Sequence, residues 1–507
     1  MTTTDTDRTS TISTADAAPR RLRRDALGLP ALIFCIATAA APMTALLFNV
    51  PVIVSGAGWA APAAFLVAAA MLAVFSVGYV EMSRRVTSAG GFYAFVSHGL
   101  GRGPGMGAAA VVTMAYAVLT AAIIGVFAYF ASTTVEDWTG ASIPIWALLF
   151  GALGVNLLFA WFEVRLTARV LGAFFVVEVL VVLIFAVVVL AQGGASGLSA
   201  APLNPLELVD NEAAIAVFGA AAPGIALFGA FWSWVGFEMA PNYGEETRRR
   251  PGIMAAATLG TLVVLAVVYV LVSYAFVTGY GTDGVAQGVA AQFEGQVASA
   301  FFPLTDRYAG GALTTAFQLV IVTSAFACQL AFFNTAARYL FALGRDGVLP
   351  RALGRTHGRL QTPHVASGML ALALAAYIGA FQLDDASRDA ALLKLATWSP
   401  LLGVFGLLAI QALTSVAIAA YFRRHPGGSR WRTLVAPIAG AGLMAFSAYL
   451  LLANRGTLAA AQGVPYVEAI PWTVLAVFGA GVGVALWLRL RDAVRYRTLG
   501  RVVLDEA

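Results

Sequence analysis

Phe228-Gly-Ala-Phe-Trp-Ser-Trp-Val-Gly-Phe-Glu-Met-Ala-Pro241 is the stretch on which the fold turns. It is too apolar and too long for a surface loop, yet Gly229, Gly236 and Pro241 argue against one uninterrupted helix. In hydrocarbon every backbone N–H and C=O needs an internal partner, so a broken segment survives only inside protein or along a cavity. Glu238 lies in the same run, where an ionisable side chain costs roughly 2.5–3.5 kcal/mol on insertion scales. A broken helix carrying a buried acid reads as the binding site of a carrier.

The whole chain agrees with that setting. Of 507 residues, 60% are hydrophobic and 11% charged, with a mean hydropathy of +0.82; soluble proteins carry about 25% charge. About twelve apolar runs between residues 29 and 489 are long enough to cross a bilayer core of ~30 Å. The expected fold class is therefore an all-α integral membrane protein of about twelve transmembrane helices, with residues 29–490 as the transport domain. Residues 1–28 read as a disordered basic cytoplasmic tail and 491–507 as a cytoplasmic C-terminal tail.

Arginine sets the expected orientation. Every basic residue except Lys394 is arginine, and all but Arg307, Arg388 and Arg455 fall on the side that carries both termini. By the positive-inside rule that side is cytoplasmic, which requires an even number of spans in the cell (plasma or inner) membrane. The net charge of +5 is thus a topology signal, spread over every inner loop, and no nucleic-acid partner is expected. Cys35 and Cys328 sit in apolar runs as small hydrophobes, and the four histidines show no ligand spacing. No metal or other cofactor is expected, and no catalytic triad or phosphate loop is visible.

The first run shares the oddity of the sixth. It holds Ala39-Ala-Ala-Pro42-Met-Thr44 and then Asn49-Val-Pro51. Interrupted segments in corresponding positions five spans apart point to an inverted-repeat carrier. Unwinding leaves half-helix N-termini, which suit an anionic group, and free carbonyls, which suit an ammonium or a metal ion. A ligand with both groups is an amino acid; a simple amine could use the carbonyls alone. After the second run, residues 82–101 place aromatic and apolar residues every three or four positions beside Gly and Arg, as in a short interfacial helix.

Three segments together resemble the amino acid–polyamine–organocation permeases. They are Gly90-Gly-Phe-Tyr93 with Gly99-Leu-Gly101; Trp232-Ser-x-x-Gly236-x-Glu238 followed by Gly244-Glu245-Glu246; and the stretch Arg338–Pro350. The resemblance implies the leucine-transporter fold, with a five-plus-five inverted repeat, two extra helices and alternating access around a midplane site. It implies that Ala41, Pro42, Met43 and Thr44, with Trp232, Ser233, Val235 and Gly236, hold the substrate, and that Trp232 covers it. Glu238 matches an acid implicated in proton sensing. Pro42 is a departure, because the relatives' substrate carboxylate is held by backbone amides at this place and proline has none.

Glu178, in the fifth run, is a second departure. Proton-coupled relatives often carry a lysine at this spacing, facing the first and eighth spans; a carboxylate there could bind a cation or carry the proton itself. Sodium carriers of the same fold use a pair of hydroxyls in the eighth span, where this register places Ala327-Cys328. The coupling expectation is therefore protons, through Glu238 and Glu178.

The resulting expectation is a secondary transporter that imports an amino acid or related amine with protons. A substrate/product exchanger and a sodium-coupled carrier are the alternatives within the class. An enzyme would need a His/Asp/Glu cluster at one face, and a sensor an appended soluble domain; neither pattern is present. The expected partners are the small-molecule substrate, protons and the lipid bilayer, and a homodimer stays open.

Overall fold

The structure, a computed structural model, describes residues 27–86, 90–161, 164–210, 219–243, 247, 252–358, 360–384, 387–388 and 391–500. The N-terminal tail through residue 26, the Gly244–Glu246 and Arg248–Arg250 segments, and residues 501–507 lie outside the described residues. Among the described residues the secondary structure is helical, apart from one isolated bridge between Leu27 and Thr247.

Proline decides how the chain enters the bilayer region. Helix α1 (Leu29–Ala40) ends at Ala41, held at φ 40°, ψ 74°. Its N–H turns back onto the carbonyls of Ala37 and Thr38. Pro42 then opens α2 (Pro42–Ala57). Proline clashes with a preceding helical residue and lacks the N–H that a continuous helix would use, so the helix breaks here and restarts. After α3 (Ala61–Ser83) come the short α4 (Gly91–Leu100) and the long α5 (Arg102–Thr139), followed by α6 (Ile145–Ala160) and α7 (Val164–Ala191).

The second break follows α8 (Ala222–Trp234). Val235 is extended, Gly236 takes φ +116°, and a 3-10 stretch runs from Phe237 to Tyr243. The chain continues through α9 (Ile253–Tyr280), α10 (Val285–Phe293), α11 (Phe301–Ala309), α12 (Gly311–Arg345) and α13 (His364–Asp384). The last helices are α14 (Ser399–Arg424), α15 (Ala436–Ala453), α16 (Ile470–Arg491) and α17 (Ala493–Thr498).

Nine helical stretches among the described residues are long and apolar enough to span a membrane. The difference from the twelve runs of the sequence is local. Leu29–Ser83 forms one continuous apolar stretch that holds two runs, α6 is a shorter apolar helix, and the sixth run is cut by its own break.

At the centre α2 lies against α8, and α1 against α7, α9 and α12. Gly56 makes the first contact close: a Cβ there would come within 2.5 Å of the Ala222 carbonyl oxygen. Small residues of this kind bring membrane helices into backbone contact. On α7, Val177, Leu180, Ile184 and Val187 are exposed, while Phe175, Glu178, Val182 and Phe185 are buried. The helical period thus turns Glu178 inward and leaves an apolar stripe outward, as expected of a lipid-facing helix.

The segments that carried the resemblance meet at one end of the molecule. The Tyr93 hydroxyl donates to Asp346 Oδ2 at 2.8 Å, and that of Tyr339 to Asn242 Oδ1 at 3.1 Å. The Arg338 guanidinium stands 4.5 Å over the Tyr243 ring. Residues Phe92–Val96 of α4 are all buried, wedged between α5, α14 and the 3-10 stretch. The expected interfacial helix is thus packed in protein. Residues 493–500 also fold back: Leu499 is buried, and the Gly500 N–H donates to the Tyr93 hydroxyl at 2.7 Å.

Candidate substrate site

The two breaks lie side by side, and their loose backbone groups are largely satisfied by protein. The Ala39 carbonyl accepts from Cys328 Sγ at 3.0 Å. The Tyr269 hydroxyl lies 3.0 Å from the Ala40 carbonyl and 2.7 Å from that of Ser233, tying the first break to the second. The Asn49 side-chain amide donates to Ser233 Oγ at 2.8 Å, and that hydroxyl donates to the Gly229 carbonyl. Backbone groups freed by unwinding need such partners where water is excluded.

Glu238 braces the second break. Its carboxylate accepts from the Tyr116 hydroxyl at 2.7 Å and from the Gly236 N–H at 3.1 Å. The Tyr79 hydroxyl holds its backbone carbonyl at 2.8 Å. Glu238 is 1% exposed and fully engaged.

Glu178 is equally buried but differently placed. The Ser324 hydroxyl and the Met43 amide face its carboxyl group, yet neither closes a bond of normal geometry, and both oxygens are unsatisfied. Ser324 Oγ in turn accepts from the Thr44 hydroxyl at 2.9 Å and the Thr44 N–H at 3.3 Å. An acid from α7, a hydroxyl from α12 and the start of α2 therefore converge behind the first break. This donor set can hold a proton, or a small cation with the carboxylate as counter-charge.

On the other side of the break is a narrow pocket of about 20 Å³, little more than one water molecule occupies. Ala41, Thr44, Asn49, Trp232, Val235, Cys328 and Phe332 are among its walls. A larger cavity of about 460 Å³ adjoins it and reaches Gln292 and Phe293 in α10. Phe48, Asn49 and Trp232 line both, so these side chains form the partition. The Trp232 ring lies 6.2 Å from Phe332.

Of the residues singled out in the sequence, Ala41, Thr44, Trp232 and Val235 line the pocket. Ser233 bonds back to Asn49 and Gly229, while Gly236 packs on Ala39. Pro42 and Met43 are buried in the restart of α2, and Met43 presents its amide to Glu178. Asn49 was noted only as part of the first interruption, and Tyr116, Tyr269, Ser324 and Phe332 escaped the sequence reading. The eighth-span register differs by one turn: Ser324 meets Thr44, while Cys328, four residues on, meets Ala39. The i, i+4 spacing on one helix face was the available signal. Among the described residues no group of His, Cys, Asp and Glu could hold a metal ion.

A family model described as amino acid permease matches residues 27–478. The chain belongs to that family. This permease is accordingly a multi-pass membrane protein of the amino acid–polyamine–organocation superfamily. It is similar to a methylthioribose transporter of Bacillus subtilis (strain 168), with 25% identity over 225 residues. That match covers 43% of the permease and 42% of the relative, so less than half of either chain is compared.

Proposed function

We propose that the permease imports an amino acid or related amine by alternating access, driven by protons, through a five-plus-five repeat whose two broken helices frame the pocket. The observation that carries this reading is Glu178: a buried carboxyl group without a hydrogen-bond partner, facing the restart of α2 and Ser324. Neutralising it by protonation changes the electrostatics at the joint on which the first break would turn. The test is uptake into proteoliposomes of labelled amino acids, amines and methylthioribose, with imposed proton or sodium gradients. Accumulation that follows the proton gradient supports the reading; accumulation that needs sodium and ignores the proton gradient overturns it.

The remaining site roles follow. Trp232 acts as the lid between pocket and outer cavity, by ring contact with the ligand. Trp232→Ala is expected to lower uptake at least about tenfold, a loss of ~1.4 kcal/mol or more, while Trp232→Phe keeps most of it and both proteins fold. Equal rates in the two variants would reduce Trp232 to a packing residue. Glu238, with its hydrogen bonds to both Tyr116 and Gly236, acts as a second proton-linked group and as a brace of the second break. Glu238→Gln is expected to flatten the pH dependence of uptake while ligand binding, measured by thermal stabilisation, survives. An unchanged pH profile would leave Glu238 only its bracing role.

The orientation is proposed to place both termini and α4 in the cytoplasm of the cell and α10 outside. Glu294 and His357 are both exposed, and Cys35 and Cys328 are both buried. An impermeant maleimide added to intact cells should mark Glu294→Cys and not His357→Cys. The opposite pattern would invert the topology.

A further inference from the structure

At the α4 end of the molecule, α4, the start of α5 and the end of α12 form a joint seat, and the chain itself fills it. After α16 the backbone turns at Asp492 (φ −148°, ψ 79°), whose side chain caps α17 by accepting from the Arg495 N–H at 3.1 Å. The residues that follow dock. The Arg497 carbonyl accepts from the Arg102 guanidinium at 3.1 Å, and that guanidinium lies 5.3 Å over the Tyr496 ring. Leu499 is 1% exposed and joins the central apolar core.

Gly500 makes the seat specific. It is buried and adopts φ +66°. A Cβ there would stand 2.6 Å from both Cβ and Oγ of Ser97, so no other residue fits without a shift. Its N–H lies 2.7 Å from the Tyr93 hydroxyl oxygen and 3.4 Å from Asp346 Oδ2, while Tyr93 donates to that same carboxylate oxygen at 2.8 Å. One backbone N–H thus meets both α4 and the residue that caps α12. When this segment leaves, Tyr93 and Asp346 lose a donor in a buried place.

What α4 and α12 hold between them is the second break. Asn242, in the 3-10 stretch, has α4 on one side and α12 on the other. A Cβ on Gly91 would come within 2.2 Å of its Oδ1, and the Tyr339 hydroxyl donates to that atom at 3.1 Å. Thr335, one turn earlier on α12, donates to Met239 Sδ at 3.4 Å. From the pocket an aromatic column leads to this niche. Phe332 lies 6.2 Å from Trp232, Tyr116 5.7 Å from Phe332, and Tyr339 is stacked 6.4 Å from Tyr116. A ligand that leaves in this direction needs the 3-10 stretch to part from that column. Residues 493–500 fasten together the two walls that hold the stretch in place.

We propose that residues 493–500 are a latch on the α4 end. Docked, they hold α4 against α12 and keep the 3-10 stretch closed over the pocket; released, they let that end open. The partner of the Tyr93–Asp346 seat is thus the segment that follows α16, recognised through a glycine amide and a leucine side chain. This rests on the proposed alternating-access reading, since a latch acts only where the α4 end opens. The balance between the two shapes shifts by the free energy with which the docked segment favours one of them.

The test needs no substrate. Thr335→Cys, buried against the 3-10 stretch, reports opening of the α4 end; Ser299→Cys, buried between α10 and α11, reports general loosening. N-ethylmaleimide labelling rates at each position are compared in the purified protein in detergent, with the segment intact, with Gly500→Val, and with a stop after Thr498. The protein without an added cysteine gives the background from Cys35 and Cys328, both buried. The expected result is labelling at Thr335→Cys at least about threefold faster in the latch variants, with Ser299→Cys unchanged. Unchanged labelling at Thr335→Cys, or equal acceleration at both positions, would overturn the latch and leave the transport reading intact. Gly500→Val keeps the full chain, so it decides the outcome if the shortened protein does not fold. Failure of proton-driven accumulation in proteoliposomes would remove the coupling and leave the latch standing.

Discussion

Glu178→Gln is expected to abolish accumulation driven by a proton gradient while exchange of labelled for unlabelled substrate continues. Glutamine matches glutamate in size and mimics its protonated form, so the buried packing of α7 against α1, α2 and α12 should survive. What disappears is the ability to take up and release a proton beside the Met43 amide and the Ser324 hydroxyl. A carrier locked in the protonated-like state can still cycle with substrate bound on both legs, but it no longer ties net movement to protons. The steady-state accumulation ratio should fall to about one, and counterflow should stay within about threefold of wild type, ~0.65 kcal/mol. Glu178→Asp, which keeps the acid, should recover part of the accumulation; Glu178→Leu should not. Full gradient-driven accumulation by the Gln variant would make Glu178 a structural acid.

Gly236→Ala should be the most damaging of the small substitutions. Gly236 sits at φ +116°, a backbone conformation that costs an L-residue about 1–3 kcal/mol. The added Cβ would also stand 2.8 Å from Ala39 Cβ and 3.1 Å from the Ala40 nitrogen. Strain and clash fall at the point where the two breaks touch, and the Gly236 N–H also anchors Glu238. Transport should be lost together with several degrees of thermal stability. Adding Ala39→Gly removes the nearest side-chain contact and leaves the strain, so it should restore stability in part. Wild-type transport by the single variant would show that the junction is looser than this packing requires.

Much of the architecture was legible because the bilayer imposes strong rules. A carboxylate and three helix-disrupting residues within Phe228–Pro241 cannot lie in hydrocarbon as an ordinary span, so the second break followed from chemistry alone. Pro42 marked the first break in the same way, since proline can neither donate nor tolerate the preceding helical turn. Ala41, Thr44, Trp232 and Val235 flank those two breaks, and it was the resemblance to the permeases that implied their role.

The partners on uninterrupted helices were not legible. Tyr269, Ser324, Tyr116 and Phe332 lie in runs that are apolar almost all round, and hydropathy does not say which face of such a helix turns inward. Membrane helices lack the polar outer face that gives soluble helices their pattern, so the rotation of α5, α9 and α12 is decided by packing. For the same reason the eighth-span register fell on Ala327-Cys328, one turn from Ser324, and α4 read as an interfacial helix although its aromatic residues are buried.

By itself the sequence determined that this chain is helical and membrane-embedded, with two interrupted apolar segments and two acids within its apolar runs. Those conclusions depend on the cost of leaving polar groups in hydrocarbon, which each residue carries with it wherever the chain folds. Tertiary structure alone decided that Glu238 is bonded on both oxygens while Glu178 is not, and that the Thr44 amide beside the first break is bonded to Ser324. Hydrogen-bond satisfaction belongs to pairs of groups from distant segments, such as Thr44 with Ser324 or Tyr116 with Glu238, and no single stretch of chain specifies it.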